Sequence, residues 1–324
     1  MRKIIFACMC ALFSMSAKAQ MPGGQFGFGG QQQQIELACS QKFLDVNYAK
    51  DKEAYHTCDI YIPQVKQKRY PVVVHIYGSA WFSNNSKGMA DLGTIVNALL
   101  KAGYAVVCPN HRSSQDAKWP AQINDIKAVI RFIRAQSRKY KFDENFIATS
   151  GFSSGGHLSA ICGTTNNTGK FMANDTIYNI EGKVGKNLTQ SSNVAASVVW
   201  SGPVDLLHMD CAGPRDMPFS PEEAVMGRKL DGNEAHFASL CATSYVTRLD
   251  APMIIFHGTA DTVVPFCQSE ILDQVLTANG VKHEFYPVEG GGHGFGGMYD
   301  QKNLDAMVRF LDEVRTNPKQ KVLR

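Results

Sequence analysis

The sequence predicts an α/β protein whose mainly parallel β-sheet is covered by helices on both faces. From about residue 36 onward, short β-rich runs alternate with longer helical patterns, which is typical of such a sheet. Several of the short runs, including residues 72–74 and 253–256, are continuously apolar. Strands that are buried on both faces have this composition.

The predicted strands cover residues 56–62, 71–77, 104–108, 146–150, 194–200, 252–257 and 283–288. The predicted helices cover residues 89–101, 121–138, 154–162, 268–279 and 303–315. In the second helix, isoleucines recur at steps of three and four residues, which places one apolar face against the sheet. Two long interruptions, residues 163–193 and 206–243, are interpreted as lids or substrate walls, or alternatively as surface decoration.

Residues 1–19 are interpreted as a secretory signal peptide. Arg2 and Lys3 precede an apolar run, and small residues that end at Ala19 fit an A-x-A cleavage site. The apolar run is about ten residues long, whereas about 20 are needed to span a bilayer. We therefore expect export to the periplasm or secretion after cleavage near Ala19 and Gln20, with no membrane span. Residues 20–35 are predicted to be a low-complexity flexible leader, and residues 36–324 a single domain.

Charge and cysteine content restrict the classes of partner and cofactor. The formal charge of +4 falls to about +1 when Arg2, Lys3 and Lys18 are removed, so nothing indicates a nucleic-acid partner. Seven cysteines then remain, and this odd number leaves at least one thiol unpaired; they are Cys39, Cys58, Cys108, Cys162, Cys211, Cys241 and Cys267. No disulfide is predicted. No metal is expected either, because the sequence has no C-x-x-C pair or Cys/His cluster.

Residues 151–155 fit the pattern G-x-S-x-G, with Ser153 at its centre. The pattern lies between a predicted strand and a predicted helix, which is where a nucleophile elbow must be. Glycines at 151, 155 and 156 leave room for the sharp turn that exposes the serine hydroxyl. The alternative is a Gly/Ser-rich turn with no chemical role.

A serine nucleophile needs a base, and His293 is the candidate. It lies in the glycine-rich segment 290–294, directly after a predicted strand. His75, His157 and His257 lie in predicted strands or in the elbow helix, where structural roles are expected. An ordinary surface histidine in a glycine turn is the alternative for His293.

Asp261 is the candidate for the acid that orients the base, because it follows the predicted strand 252–257. This gives the chain order Ser, Asp, His. The carboxylate would fix the imidazole tautomer and stabilise the imidazolium. Asp205, which follows an earlier predicted strand, is the alternative acid.

The segment after the second predicted strand, residues 77–81, is the candidate oxyanion loop. Backbone N–H groups of Ser79 and Ser154, with Gly78 beside them, are expected to face the developing negative charge. Tyr77 and Trp81 are candidate walls of the substrate pocket, although Trp81 could equally well be a packing residue. Elsewhere, Arg112 and Asp125 are expected to form an ion pair that braces the elbow; two separately solvated charges are the alternative.

With these residues in place, the chain resembles α/β-hydrolase esterases that include bacterial feruloyl and acetylxylan esterases. The resemblance extends over about residues 55–313, and it rests on the order and spacing of six motifs. These are YGSAW at 77–81, WPAQIND at 119–125, GFSSGGHL at 151–158, GPVD at 202–205, HGTAD at 257–261 and GHGF at 292–295. Residues 77–81 depart from the HGGG sequence of such enzymes, which leaves the acyl size open.

The resemblance implies an α/β-hydrolase fold and cofactor-independent hydrolysis of acyl or aryl esters on plant polysaccharide through an acyl-enzyme. Two other functions remain open. One is a serine peptidase of the prolyl oligopeptidase type, although the chain has no room for the propeller domain usual there. The other is a catalytically silent hydrolase fold that binds carbohydrate, against which the presence of all three candidate triad residues argues.

Overall fold

The structure is a computed structural model that describes residues 36–214 and 218–317. The chain divides into two units, residues 1–34 and residues 35–324, and all of the described residues belong to the second. The predicted signal peptide, residues 1–19, and the predicted leader, residues 20–35, lie outside the described residues.

In the described residues, ten strands form two sheets. Their bounds are β1 Cys39–Asn47, β2 Thr57–Pro63, β3 Tyr70–Ile76, β4 Ala105–Pro109, β5 Phe142–Phe152, β6 Lys170–Ala173, β7 Thr176–Asn179, β8 Ser197–Trp200, β9 Met253–Gly258 and β10 His283–Val288. The large sheet has the order β1-β2-β4-β3-β5-β8-β9-β10, and β6 and β7 form a separate hairpin. From β4 to β10 the neighbouring strands are parallel, whereas β1, β2 and β4 pair antiparallel. The predicted mainly parallel sheet is therefore confirmed.

Eight α-helices accompany the strands in the described residues. Their bounds are α1 Asn97–Lys101, α2 Ala121–Ala135, α3 Ser137–Tyr140, α4 Ser154–Thr164, α5 Pro221–Met226, α6 Glu234–Phe237, α7 Cys267–Ala278 and α8 Gln301–Thr316. Helices α2, α4 and α7 contribute to one hydrophobic cluster, whereas α1 and α8 contribute to another. Val72 and Val74 belong to the first cluster and Val73 to the second, because successive side chains of a strand point to opposite faces. The sheet is thus covered on both faces.

The structure differs from the sequence prediction most clearly at the predicted helix 89–101 and at residues 39–47. The predicted helix 89–101 is interrupted, because Asp91 adopts a left-handed conformation with φ of 46° and only Asn97–Lys101 is α-helical. Strand β1 was not predicted: it is a half-exposed antiparallel strand with two register shifts, so it lacks the apolar run of a buried strand.

The two predicted insertions contain secondary structure of their own and pack together. The first, residues 163–193, carries the β6–β7 hairpin, and the second, residues 206–243, carries α5 and α6. The Tyr178 hydroxyl is 2.9 Å from His236 Nδ1 and 3.7 Å from Met226 Sδ. Just beyond the second insertion, the ring of Tyr245 contacts that of Phe171 with centroids 5.2 Å apart. A disulfide between Cys211 and Cys267 joins the second insertion to α7, whereas no disulfide is predicted from the sequence.

Candidate active site

Ser153 lies in a sharp turn between β5 and α4. Its backbone has φ of 55° and ψ of −123°, a conformation that costs a non-glycine residue on the order of 1–3 kcal/mol. The N–H of Ser153 donates a hydrogen bond to Trp200 O at 2.9 Å, which fixes the turn. A Cβ atom at Gly151 would overlap the carbonyl of Gly155, and one at Gly155 would overlap the carbonyl of Ile76. The two glycines therefore let strand and helix approach closely enough for the turn.

The structure brings together the three side chains predicted for the triad. His293 Nε2 is 2.9 Å from Ser153 Oγ, and His293 Nδ1 is 2.7 Å from Asp261 Oδ2. Ser153, Asp261 and His293 lie in the segments that follow β5, β9 and β10, respectively. Because these strands are parallel, the three segments leave the same edge of the sheet. Because the carboxylate accepts a hydrogen bond from Nδ1–H, the Nε2 lone pair is free to accept the serine proton.

The carboxylate of Asp261 is held as an anion. Its side chain is fully buried, and Oδ1 accepts hydrogen bonds from the N–H groups of Val263 and Val264, each at 2.9 Å. Burial by itself raises the pKa of Asp261, but hydrogen bonds with His257 and His293 lower it by more, so that the pKa lies well below its usual value. Asp261 is therefore ionised at neutral pH and can stabilise an imidazolium.

Asp205, the alternative acid, lies elsewhere in the hydrogen-bond network. Its Oδ2 is 2.9 Å from Nδ1 of His208, an exposed histidine, and its Oδ1 accepts from Leu207 N–H. Of the two candidate acids, the structure places Asp261 and not Asp205 against His293.

The competing histidines are buried and bonded to other groups. His75 Nδ1 is 3.1 Å from Ser150 Oγ, and His257 Nδ1 is 2.6 Å from Ser269 Oγ. His157 accepts from Trp81 Nε1 at 3.3 Å and donates through Nε2 to Leu240 O at 2.7 Å. Burial lowers the pKa of His157 to about 4, so it is neutral, as this pair of hydrogen bonds requires. Structural roles, as the sequence predicted, account for all three.

The candidate oxyanion loop, residues 77–81, lies directly against the elbow. A Cβ atom at Gly78 would be 2.8 Å from both Ser153 Cβ and Phe152 O. The Ser79 N–H donates to the side chain of Ser154 at 2.9 Å. Among the hydrogen bonds of the described residues, none engages the N–H of Ala80. The structure thus adds Ala80 to the candidate donors, a residue that no sequence motif distinguishes from its neighbours.

Tyr77 and Trp81, the candidate pocket walls, are almost completely buried. Their exposed fractions are 1% and 2%. Tyr77 stacks on His111 with ring centroids 4.9 Å apart and donates from its hydroxyl to Ser83 O. Burial and these contacts favour a packing role over a pocket wall. For Trp81, packing is the alternative that was left open above.

The predicted ion pair between Arg112 and Asp125 is confirmed. Arg112 donates to Asp125 through Nε at 2.9 Å and through Nη2 at 2.6 Å. Burial raises the pKa of Asp125, but hydrogen bonds with His56 and Arg112 lower it to a value below its usual range. The pair joins the loop after β4 to α2.

Residues 36–214 and 218–317 contain neither a candidate metal site nor a candidate membrane-spanning helix. In this part of the chain, no three His, Cys, Asp or Glu side chains cluster in a way that could hold a metal ion. No helix there has both the length and the apolar composition that crossing a bilayer requires.

The sequence model of the BD-FAE family matches residues 58–276, which include the oxyanion loop, the elbow and Asp261. This match covers more than half of the chain. The chain belongs to the BD-FAE family. His293 lies beyond the matched segment.

Known proteins similar to this BD-FAE chain include esterases. A truncated carbohydrate esterase from gut microbiota is 43% identical, with a TM-score of 0.83, and the alignment covers 87% of this chain and 99% of that one. A bifunctional GH43-CE protein of Bacteroides eggerthii is 44% identical, with a TM-score of 0.80 over 84% of this chain and 35% of that one. The predicted α/β-hydrolase fold and the resemblance to esterases are confirmed.

A curated relative is the esterase LipC of Mycobacterium tuberculosis, 29% identical over 253 residues, or 76% of this chain. The alignment spans 59% of LipC, and alignments to two further curated esterases span 44% and 46% of their lengths. The chain therefore spans only about half the length of the curated relatives that it matches.

Proposed function

We propose that this chain is a serine carboxylesterase with Ser153 as nucleophile, His293 as general base and Asp261 as the orienting acid. The observation that carries the proposal is the continuous hydrogen-bonded chain from Ser153 Oγ through His293 to Asp261, with distances of 2.9 and 2.7 Å. Three residues from distant parts of the sequence meet in the arrangement that activates a serine hydroxyl.

The reaction proceeds in two halves. Ser153 Oγ attacks the ester carbonyl carbon while its proton passes to His293 Nε2, and the carbonyl oxygen becomes an oxyanion. Collapse of this intermediate breaks the bond to the alcohol, which leaves with the proton from His293. Water then attacks the acyl-enzyme by the same route, releasing the carboxylic acid and restoring the Ser153 hydroxyl. Asp261 remains ionised throughout.

Backbone amides next to Ser153 supply the electrostatic stabilisation. The Ser154 N–H lies in the first turn of α4, where N–H groups have no partner within the helix. The Ala80 N–H is also available. Loss of one such donor in comparable enzymes costs about 2.7–4 kcal/mol of transition-state stabilisation.

The proposed substrates are acyl or aryl esters on plant polysaccharide. Support comes from the two solved relatives above, because one is described as a carbohydrate esterase and the other as a bifunctional GH43-CE protein. A panel of acetylated and feruloylated oligosaccharides, together with longer acyl esters, tests this assignment. Turnover of the longer alkyl esters alone would contradict it.

The decisive test of the chemistry is Ser153→Ala. We expect turnover of p-nitrophenyl acetate to fall to background, a loss of about 10⁶-fold, because the nucleophile is gone. Circular dichroism of the variant shows whether the fold is kept. A fluorophosphonate should label Ser153 of the unaltered protein, and mass spectrometry of the peptide locates the adduct. Cleavage of prolyl anilides instead of esters would favour a peptidase, and absence of both labelling and turnover would favour a silent carbohydrate-binding fold.

Export is a further part of the proposal. It rests on the signal-peptide pattern of residues 1–19, with the mature chain beginning near Gln20 as a leader followed by one catalytic domain. N-terminal sequencing of protein recovered outside the cytoplasm is expected to begin at or close to Gln20. Recovery of a chain that still begins at Met1 would contradict export by cleavage.

A further inference from the structure

The oxyanion loop, residues 77–81, has an unfavourable backbone conformation at two consecutive residues. Ala80 has φ of 48° and Trp81 has φ of 61°, and neither residue is glycine. Each such residue costs on the order of 1–3 kcal/mol and persists only where the surroundings fix it. The contacts that hold this loop therefore determine where its N–H groups point.

Two side chains of α4 hold the loop, one at its centre and one at its end. Ser154 Oγ accepts the hydrogen bond from Ser79 N–H at 2.9 Å, and His157 Nδ1 accepts from Trp81 Nε1 at 3.3 Å. Ser154 and His157 are three residues apart and thus lie on the same face of the helix. The helix that begins directly after the nucleophile therefore also fixes the loop that faces it.

The Ser154 hydroxyl is buried, since the residue exposes only 1% of its surface. Ser153, Ser79 and Ala80 are more exposed. The Ser79 N–H consequently points towards the protein interior at Ser154 and away from the accessible side, where an ester would enter. An N–H group that already donates to a buried hydroxyl must break that bond before it can donate to substrate.

From these contacts we infer that Ser154 is a positioning residue, whose hydroxyl binds the Ser79 N–H and thereby directs the Ala80 N–H at the oxyanion. The donors in the transition state are then the N–H groups of Ala80 and Ser154, and the Ser79 N–H serves to fix the loop. This inference rests on the proposed esterase function, and it assigns to the Ser154 side chain a role that the elbow motif does not specify.

The inference predicts a specific kinetic result for Ser154→Ala. Without the hydroxyl, the Ser79 N–H loses its partner and the strained loop can relax, so that the Ala80 N–H moves away from the oxyanion. An interaction that strengthens only in the transition state affects kcat and not KM. We expect kcat for p-nitrophenyl acetate to fall about 10- to 100-fold, less than the 10²–10³ for outright loss of a donor, with KM within about twofold.

Ser159→Ala is the matched control. Ser159 is a fully buried serine of the same helix, but its hydroxyl donates to Thr149 Oγ1 at 3.0 Å and has no hydrogen bond to the oxyanion loop. Both variants remove one buried hydroxyl, and thermal melts show whether they cost similar stability. Only Ser154→Ala is expected to lower kcat and to weaken binding of phenylboronic acid, a mimic of the tetrahedral intermediate, by a similar factor.

Three results would overturn the inference. An unchanged or raised kcat in Ser154→Ala would show that the released Ser79 N–H is itself a sufficient donor. Equal losses in Ser154→Ala and Ser159→Ala would show a purely structural role. A loss confined to KM would place the hydroxyl in substrate binding. Failure of the esterase proposal is recognised separately, because the unaltered protein would then hydrolyse no ester, or Ser153→Ala would retain the turnover.

Discussion

The sheet edge at the ends of β5, β9 and β10, which carries Ser153, is held in place differently from the two insertions. At the edge, each candidate catalytic residue follows a strand of the parallel sheet, and strands such as β9 are buried along their whole length. The insertions contain only short elements. Residues such as Ile180 and Phe237 join the hydrophobic cluster of α2, α4 and α7, and polar and covalent contacts attach the insertions as well. Hydrophobic burial thus positions the triad, whereas the insertions depend on individual polar and covalent contacts in addition to burial.

The contacts of the first insertion show the difference most directly. Lys127 and Arg131 of α2 are almost completely buried, and both form ion pairs with Glu181 of the insertion. Lys127 also donates to Ser192 Oγ at 3.2 Å. Removal of one such contact should lower the free energy of unfolding, whereas changes to the candidate catalytic residues at the sheet edge should lower kcat. The following predictions test this separation.

The largest effect is expected at the sheet edge, for Asp261→Asn. The amide no longer stabilises the imidazolium and favours the wrong tautomer of His293, so that kcat should fall about 10⁴-fold. Thermal stability should change little, because Asn retains one oxygen that can accept from Val263 and Val264. Steady-state kinetics and a thermal melt measure the two quantities.

Asp205→Asn is the control for this prediction, because Asp205 contacts His208 and not His293. Its kcat should remain within about threefold of the unaltered protein. A collapse of kcat in Asp205→Asn together with a mild effect of Asp261→Asn would reverse the assignment of the acid.

The next effect concerns the disulfide of the second insertion. Cys211 and Cys267 are separated by 56 residues, and a crosslink of this length restricts the unfolded chain. The double variant Cys211→Ser/Cys267→Ser should lose about 2–4 kcal/mol in the free energy of unfolding, measured by denaturant titration. Cys39→Ser, which removes a free and partly exposed cysteine, should change it by less than about 0.5 kcal/mol. Equal stability of all three proteins would refute the contribution of the crosslink.

The smallest effect is expected for Glu181→Gln in the first insertion. The substitution leaves Lys127 and Arg131 buried without their carboxylate, which is costly for buried charges. Because the Glu181 side chain is 39% exposed, water screens part of the interaction, and we expect a loss of about 2 kcal/mol with kcat unchanged. Glu313→Gln, which removes an exposed ion pair with Arg309, should cost less than about 1 kcal/mol. A drop in kcat for Glu181→Gln without loss of stability would break the separation of roles.

The elements that carry the candidate triad at the sheet edge could be predicted because the sequence patterns that indicate them are local. Residues 253–256 are continuously apolar and form most of β9, and the glycines around Ser153 are required by the close backbone contacts of the elbow. Asp261 could be selected because it follows such a strand, and His293 because it lies in the glycine-rich segment after β10. The ion pair between Arg112 and Asp125 was also predictable, since only 13 positions separate the two residues.

What could not be predicted depends on contacts between distant segments. The Ser79 N–H reaches a side chain 75 positions away, and the partner of Cys211 could have been any of six other cysteines. Strand β1 pairs at the sheet's edge through its backbone, so its side chains do not need to be apolar. The β6–β7 hairpin is stabilised by the second insertion, which begins more than 25 residues later in the sequence.

The imidazole of His157 connects the two regions, since it bonds to Trp81 of the oxyanion loop on one side and to Leu240 O of the second insertion on the other. An engineer who grafts a different insertion onto this scaffold to change its selectivity must therefore preserve a carbonyl group at that point. Without it, the ring has no acceptor for its Nε2 proton, and the transplanted segment would alter catalysis through the indole even if it never touched the ester.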